Sequence, residues 1–216
     1  NTTGEYNVAM GYMALYSNTT SSNNVAIGYQ ALLLNTTGTN NVAVGQAALD
    51  ACTTGSMCIA VGAQALSSIT TGEKNIGIGY RAAEATTDAE DNVAVGQQAL
   101  EENVTGDRNI AIGTRALDQN LQADNVAVGH EAMTANTTGT QNTAVGANAL
   151  DANTTASSNI AIGHAALTDN TTGAQNVAVG RAALGANTTA DNNTAVGYNS
   201  LPVSYTHLTL PTIYSV

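Results

Sequence analysis

Apolar and polar positions along this chain follow one short phrase, Asn-Val-Ala-Val-Gly-x-x-Ala-Leu, succeeded in most copies by a polar stretch built on Asn-Thr-Thr-Gly. The triplet before the glycine, as at Val42-Ala43-Val44, Ile110-Ala111-Ile112 and Ile160-Ala161-Ile162, alternates branched and small residues with period two, which predicts a strand. The expected orientation sets the branched pair against a core. The small residue, replaced by glycine at Gly77, then points to a second, crowded face. A further apolar pair, as at Ala48-Leu49, Ala99-Leu100, Ala149-Leu150 and Ala183-Leu184, predicts a second short strand. The polar stretch, complete at Asn35 to Gly38, Asn136 to Gly139 and Asn170 to Gly173, predicts a turn, because Asn and Thr bond their own backbone and Asn and Gly tolerate left-handed conformations.

The glycine of the phrase recurs at Gly11, Gly28, Gly45, Gly62, Gly79, Gly96, Gly113, Gly129, Gly146, Gly163, Gly180 and Gly197, 17 residues apart with one interval of 16. The short interval lies in the turn, where Leu121-Gln122-Ala123 stands in for Thr-Thr-Gly. A fixed short period marks a repeat architecture in which each copy is completed only by its neighbours. The expected fold is all-β, a parallel β-roll or β-solenoid of about twelve 17-residue coils with the glycine at a corner. Coils stacked at roughly 4.8 Å make a rod on the order of 55 Å long. The asparagine before each strand (Asn7, Asn24, Asn41, Asn75, Asn92, Asn109, Asn125, Asn142, Asn159, Asn176 and Asn193) then forms a ladder, expected to stack its side-chain amides.

The register runs from Asn7 to Leu201, so residues 1–201 read as one elongated array that begins inside a repeat, a fragment. The stretch 202–216 shares nothing with the repeats and holds both prolines. It resembles translated sequencing-adapter read-through and is expected to be an artefact, the alternative being a junction to a following domain. Phe and Trp are absent, which predicts a thin core of small and branched side chains. Such a core buries little, and side-by-side association of several chains would supply the missing burial. A net charge of −11 with five Lys and Arg argues against nucleic acid as a partner. No apolar run approaches the roughly 20 residues of a membrane span, and no signal peptide opens the chain.

The phrase Asn-x-Ala-[Ile/Val]-Gly-x-x-Ala-Leu, carried from Asn7 to Leu201, resembles the head repeats of trimeric autotransporter adhesins, the YadA-like heads. In its longer form with Asn-Thr-Thr-Gly turns, ending at Asn193 to Leu201, it also resembles repeat arrays of phage tail fibres and of bacterial surface proteins that end in a self-cleaving chaperone domain. The resemblance implies a left-handed β-roll assembled as a homotrimer. It also implies an extracellular place on the bacterial outer membrane or in a virion tail fibre, and attachment to a host surface molecule or matrix.

The chemistry-bearing residues are scattered while the repeating ones are structural, so no enzyme, cofactor or metal site is expected. His130 and His164 share one position two coils apart, about 10 Å, too far to share a metal within one chain. Acidic residues gather between Glu84 and Asp124 (Glu90, Asp91, Glu101, Glu102, Asp107 and Asp118 among them) without the spacing of calcium β-rolls, and read as a solvated face that keeps rods apart. Cys52 and Cys58 read as two ordinary substitutions rather than a disulfide framework. Paired threonines such as Thr36-Thr37 and Thr171-Thr172 raise an ice-binding solenoid as an alternative, although turn chemistry explains them. Nine Asn-x-Thr triplets, starting at Asn1, Asn18, Asn35, Asn103, Asn136, Asn153, Asn170, Asn187 and Asn192, read as a by-product of the turn. The candidate ligand contacts are the variable residues after the corner glycine, namely Tyr12, Tyr29, Tyr80, His130 and Arg181.

Overall fold

A computed structural model describes residues 2–202. The chain is all-β over that range. Its strands are β1 (Val8–Met10), β2 (Val25–Ile27), β3 (Val42–Val44), β4 (Ile59–Val61), β5 (Ile76–Ile78), β6 (Val93–Val95), β7 (Ile110–Ile112), β8 (Val126–Val128), β9 (Thr143–Val145), β10 (Ile160–Ile162), β11 (Val177–Val179) and β12 (Thr194–Val196). They form one parallel twelve-stranded sheet in chain order, the stacked face of a β-solenoid. Every strand pairs with the same position of the next, as in Val42 with Ile59 and Ala43 with Ala60. The shortened coil keeps this register, pairing Ile110 with Val126. Of the stretch 202–216 only Pro202 is described, its carbonyl accepting the Ala186 N–H at 3.0 Å, so the expectation about the tail lies otherwise outside the described residues.

The strand orientation is the reverse of the expected one. Ala26, Ala43, Ala60, Ala94, Ala111, Ala127, Ala144, Ala161 and Ala178 are fully buried, whereas the branched residues on either side are half-buried or exposed. The alanines point into the solenoid. Across the narrow interior they meet the leucines of the Ala-Leu pairs, Leu32, Leu49, Leu66, Leu100, Leu117, Leu150, Leu167 and Leu184, all fully buried. At Gly77, a Cβ would come within 2.9 Å of Leu66 Cγ. The strict smallness of this position therefore comes from the chain's own interior rather than from a neighbouring chain.

The second apolar segment is a run of turns, not a strand. Following Gly28, whose φ is +135°, both Gln30 (56°) and Leu32 (51°) have positive φ, and the same alternation recurs at Ala47 and Leu49 and at Gln98 and Leu100. Residues of alternating hand send successive N–H groups in opposite directions. Gln30 N–H donates back to Tyr12 O at 2.9 Å, Leu32 N–H forward to Ala48 O at 2.9 Å, and Ala31 N–H closes a turn on Gly28 O. Non-glycine residues in this region cost about 1–3 kcal/mol each unless their surroundings hold them there. Here the hydrogen bonds to the coils on both sides do so.

Two asparagine ladders line the polar end of the interior. In the one before the strands, the side chain bonds mainly to backbone instead of to its own kind. Asn24 Oδ1 accepts the Asn41 N–H at 2.9 Å, and Asn24 Nδ2 donates to Gly38 O at 3.0 Å. Asn159 and Asn176 repeat the arrangement. Amide-to-amide bonding of the expected kind appears as an addition at Asn142 on Asn125 (3.3 Å) and at Asn193 on Asn176 (3.1 Å). The ladder that stacks amides is the other one, formed by the turn asparagines. Asn136 Nδ2 donates to Asn120 Oδ1 at 2.7 Å, Asn153 to Asn136 at 2.7 Å, and Asn187 to Asn170 at 2.8 Å. These side chains are fully buried, and each also donates to the carbonyl three residues on, as Asn153 does to Ala156.

Candidate interaction surface

With the alanines turned inward, each strand presents two side chains to the outside, branched at every position but Met10. They make two apolar rows along the rod, including Ile59 and Val61, Ile110 and Ile112, and Ile160 and Ile162, each between 37% and 40% exposed. Thr143 and Thr194 are the only polar residues among the twenty-four outward strand positions. One flank is the residue two before each strand, exposed in every coil, where Lys74, Asp91, Arg108 and Asp124 stand on four successive levels. The other flank is the corner glycine and the residue after it.

That second flank holds the candidate ligand contacts. Tyr12 and Tyr29 stack with ring centroids 5.5 Å apart and planes 13° from parallel. The Arg81 guanidinium lies 6.0 Å from the Tyr80 ring centre, and that of Arg181 lies 5.8 Å from the Tyr198 ring centre. His130 and His164 are exposed in the same row, with His130 Nδ1 3.7 Å from Glu131 Oε2. The structure thus sets Tyr12, Tyr29, Tyr80, His130 and Arg181 on one edge but joins only the first two to each other.

Further around the coil, many of the acidic residues are drawn into a network rather than left as free charge. Arg81 bridges Glu84 of its own coil and Glu101 of the next (2.8 Å to the latter). Arg115 repeats the bridge between Asp118 at 3.0 Å and Glu131 at 3.3 Å. Gln98 Nε2 donates to Glu101 Oε2 at 2.7 Å. Burial pushes the Glu101 carboxyl above its usual pKa, against the opposing pull of Gln98 and Arg81. These residues line a shallow groove of about 720 Å³ in which both arginines are paired with carboxylates. No group of His, Cys, Asp and Glu that could hold a metal ion occurs among the described residues.

On the turn side the first threonine of most pairs is engaged. Thr36 Oγ1 donates to Thr53 O at 3.0 Å, Thr137 to Thr154 O at 3.0 Å, and Thr171 to Thr188 O at 3.0 Å. Only the second threonine, as at Thr37, Thr138 and Thr172, forms an exposed row, and Asp88 and Gln122 interrupt it. Seven of the Asn-x-Thr asparagines (Asn18, Asn35, Asn103, Asn136, Asn153, Asn170 and Asn187) are buried in the amide ladder, whereas Asn192 is exposed.

Cys52 and Cys58 are free thiols in the interior, one in each asparagine ladder. Cys52 Sγ donates to Gly55 O and Cys58 Sγ to Gly72 O, both at 3.5 Å. Burial pushes their pKa values up to about 12 and about 11. With Cys52 in its place, the ladder leaves Asn35 Oδ1 buried without a partner.

The architecture defines a β-solenoid repeat protein. No family model, no curated protein and no solved structure matches the chain. Among the described residues no helix is long and apolar enough to cross a membrane.

Proposed function

We propose that this chain is a segment of a fibrous attachment protein, a bacterial surface adhesin head, in which the rod supplies reach and the strand face binds further copies side by side. The observation that supports it is the pair of outward Val and Ile rows. Monomeric proteins rarely leave a contiguous apolar patch larger than a few hundred Å². Twelve strands and their flanking rows span an area on the order of 800 Å², one side of a standard protein interface. Both the threefold bundle implied by the repeat resemblance and a twofold pair would bury this face.

Copies held side by side multiply weak contacts made by edge residues such as Tyr12 and Tyr29, and avidity then offsets the weakness of each. A phage tail fibre would use the same rod in the same way. In either setting the ligand is a host surface molecule or matrix outside the cell. The test is retention under flow of beads coated with the purified chain, on cultured cells, bacteria and matrix proteins, competed by soluble chain. Retention on at least one surface is expected, and no retention above uncoated beads on any of them refutes attachment.

A further inference from the structure

The apolar rows repeat every coil, so packing them alone permits a partner to slip by one coil at little cost. Register has to come from residues that break the repetition. Beside the strand face, the row two before each strand reads Met57, Lys74, Asp91, Arg108, Asp124, Gln141 from β4 to β9, all exposed. The four charges alternate in sign at successive levels, and the rest of that row is uncharged.

We infer that two copies of this chain pair face to face with their rods antiparallel, related by a twofold axis that runs along the strand direction between β6 and β7. Such an axis reverses the rod and turns the sheet over but keeps the strand direction, so this row meets the same row of the partner read backwards. Lys74 then faces the partner's Asp124, and Asp91 faces the partner's Arg108, each contact occurring twice. An isologous interface has this reciprocal form. Every strand of the chain also faces a strand of the partner, β3 against β10 and β5 against β8.

Any parallel arrangement, twofold or threefold, sets the row against the opposite flank of the next chain. There the same four levels carry Tyr80, Gln97, Thr114 and His130, with no carboxylate for Lys74 or Arg108. Within one chain Arg108 already holds Asp124, Nε to Oδ1 at 2.7 Å and NH2 to Oδ2 at 3.1 Å. Lys74 and Asp91 make no ion pair among the described residues, which leaves both for the partner. One row further from the face, Asp107 Oδ1 accepts the Glu90 N–H at 2.9 Å. Rim charges of this kind set orientation and association rate more than affinity.

The inference rests on the strand face being the association surface, and cross-linking separates the two claims. Asn40 precedes β3 and Ser158 precedes β10, seven coils apart in one chain, about 34 Å, but opposite each other across the antiparallel pair. Asn40 and Gln46 lie on opposite flanks of one strand and face each other only between parallel chains. Asn40→Cys/Ser158→Cys and Asn40→Cys/Gln46→Cys chains are treated with a bismaleimide of about 10 Å reach, the spacing of packed sheets, and resolved on a denaturing gel. The parent chain, with both its thiols buried, is the control.

A band of twice the mass in the first variant alone is expected. A band in the second alone overturns the antiparallel pair while leaving the strand face as the surface. A band in neither overturns both. Asp91→Arg, which sets an arginine against the partner's Arg108 at each of the two symmetric contacts, is expected to weaken pairing about tenfold, and Asp91→Arg/Arg108→Asp to restore it. Equal pairing by Asp91→Arg and the parent would contradict the charge argument.

Discussion

Replacing Gly96 by alanine tests the stacking of coils at a corner where two backbones nearly touch. Gly96 has φ +139°, a conformation L residues rarely adopt, and a Cβ there would lie 2.4 Å from Gly113 O and 2.6 Å from Gly113 C. The obstacle is the backbone of the next coil, which cannot swing aside as a side chain can. Strain at such a φ costs about 1–3 kcal/mol, and forcing an extra carbon into a packed interior costs a similar amount. The sum, about 2–6 kcal/mol, is a large share of the 5–15 kcal/mol that typically holds a domain folded.

Gly185→Ala is the matched control. Gly185 is not in the left-handed region, and its nearest obstacle is Ala182 O at 3.3 Å. That variant is expected to stay within about 0.5 kcal/mol of the parent. Urea unfolding followed by circular dichroism gives the size of each effect, and amide hydrogen exchange gives its location. Because coils touch only their neighbours, exchange in Gly96→Ala should rise in peptides around 93–113 and stay slow in the distant coils. Equal midpoints for the two variants would refute the account of the corner.

Asn153→Leu removes a rung that donates to Asn136 and Ala156 and should destabilise by about 2–3 kcal/mol, seen as a lower urea midpoint; a neutral result would deny the ladder its role. Cys52→Asn gives the orphaned Asn35 Oδ1 a donor and should stabilise by about 1 kcal/mol in the same assay. Both thiols should resist alkylation in the native chain and react in urea. Their raised pKa values mean that the folded chain keeps protons that the unfolded chain has released above the ordinary thiol value of 9.0. The stability they contribute is full below pH 9 and falls as pH rises toward 11 and 12, so alkaline unfolding should shift upward in Cys52→Ala/Cys58→Ala.

The period, the parallel stacking and the strand triplets were legible because recurrence at 17 residues leaves little choice of architecture. Which way a strand faces was not. Val-Ala-Val alternates equally well with either face inward, and hydrophobicity favours the wrong one, since it puts Val42 and Val44 inside. What decides is volume: the interior opposite Ala43 already holds leucines, and only a methyl fits. The second segment misled for a related reason. Ala-Leu reads as part of a strand, and nothing in leucine announces the positive φ of Leu49 or Leu100, which the neighbouring coils impose.

The turn asparagines carried a signal that composition could have revealed. Asn136, Asn153, Asn170 and Asn187 recur at one position, which only Cys52, Ile69 and Thr86 interrupt, yet turn chemistry accounts for a single copy so well that it hides the ladder between copies. The ion-pair network escaped for a different reason. Arg81 and Glu101 are 20 residues apart and meet only because coils stack in register.

The central claim is that the branched strand residues face outward and join chains. Its most direct test is the mass of the assembly by light scattering, for the chain and for Ile78→Lys/Val95→Lys/Ile112→Lys. A mass that is a multiple of 21.8 kDa, falling to 21.8 kDa in the lysine variant with its circular dichroism unchanged, is predicted. A parent chain that is already monomeric at micromolar concentration, or a lysine variant that keeps the parent's mass, would contradict it.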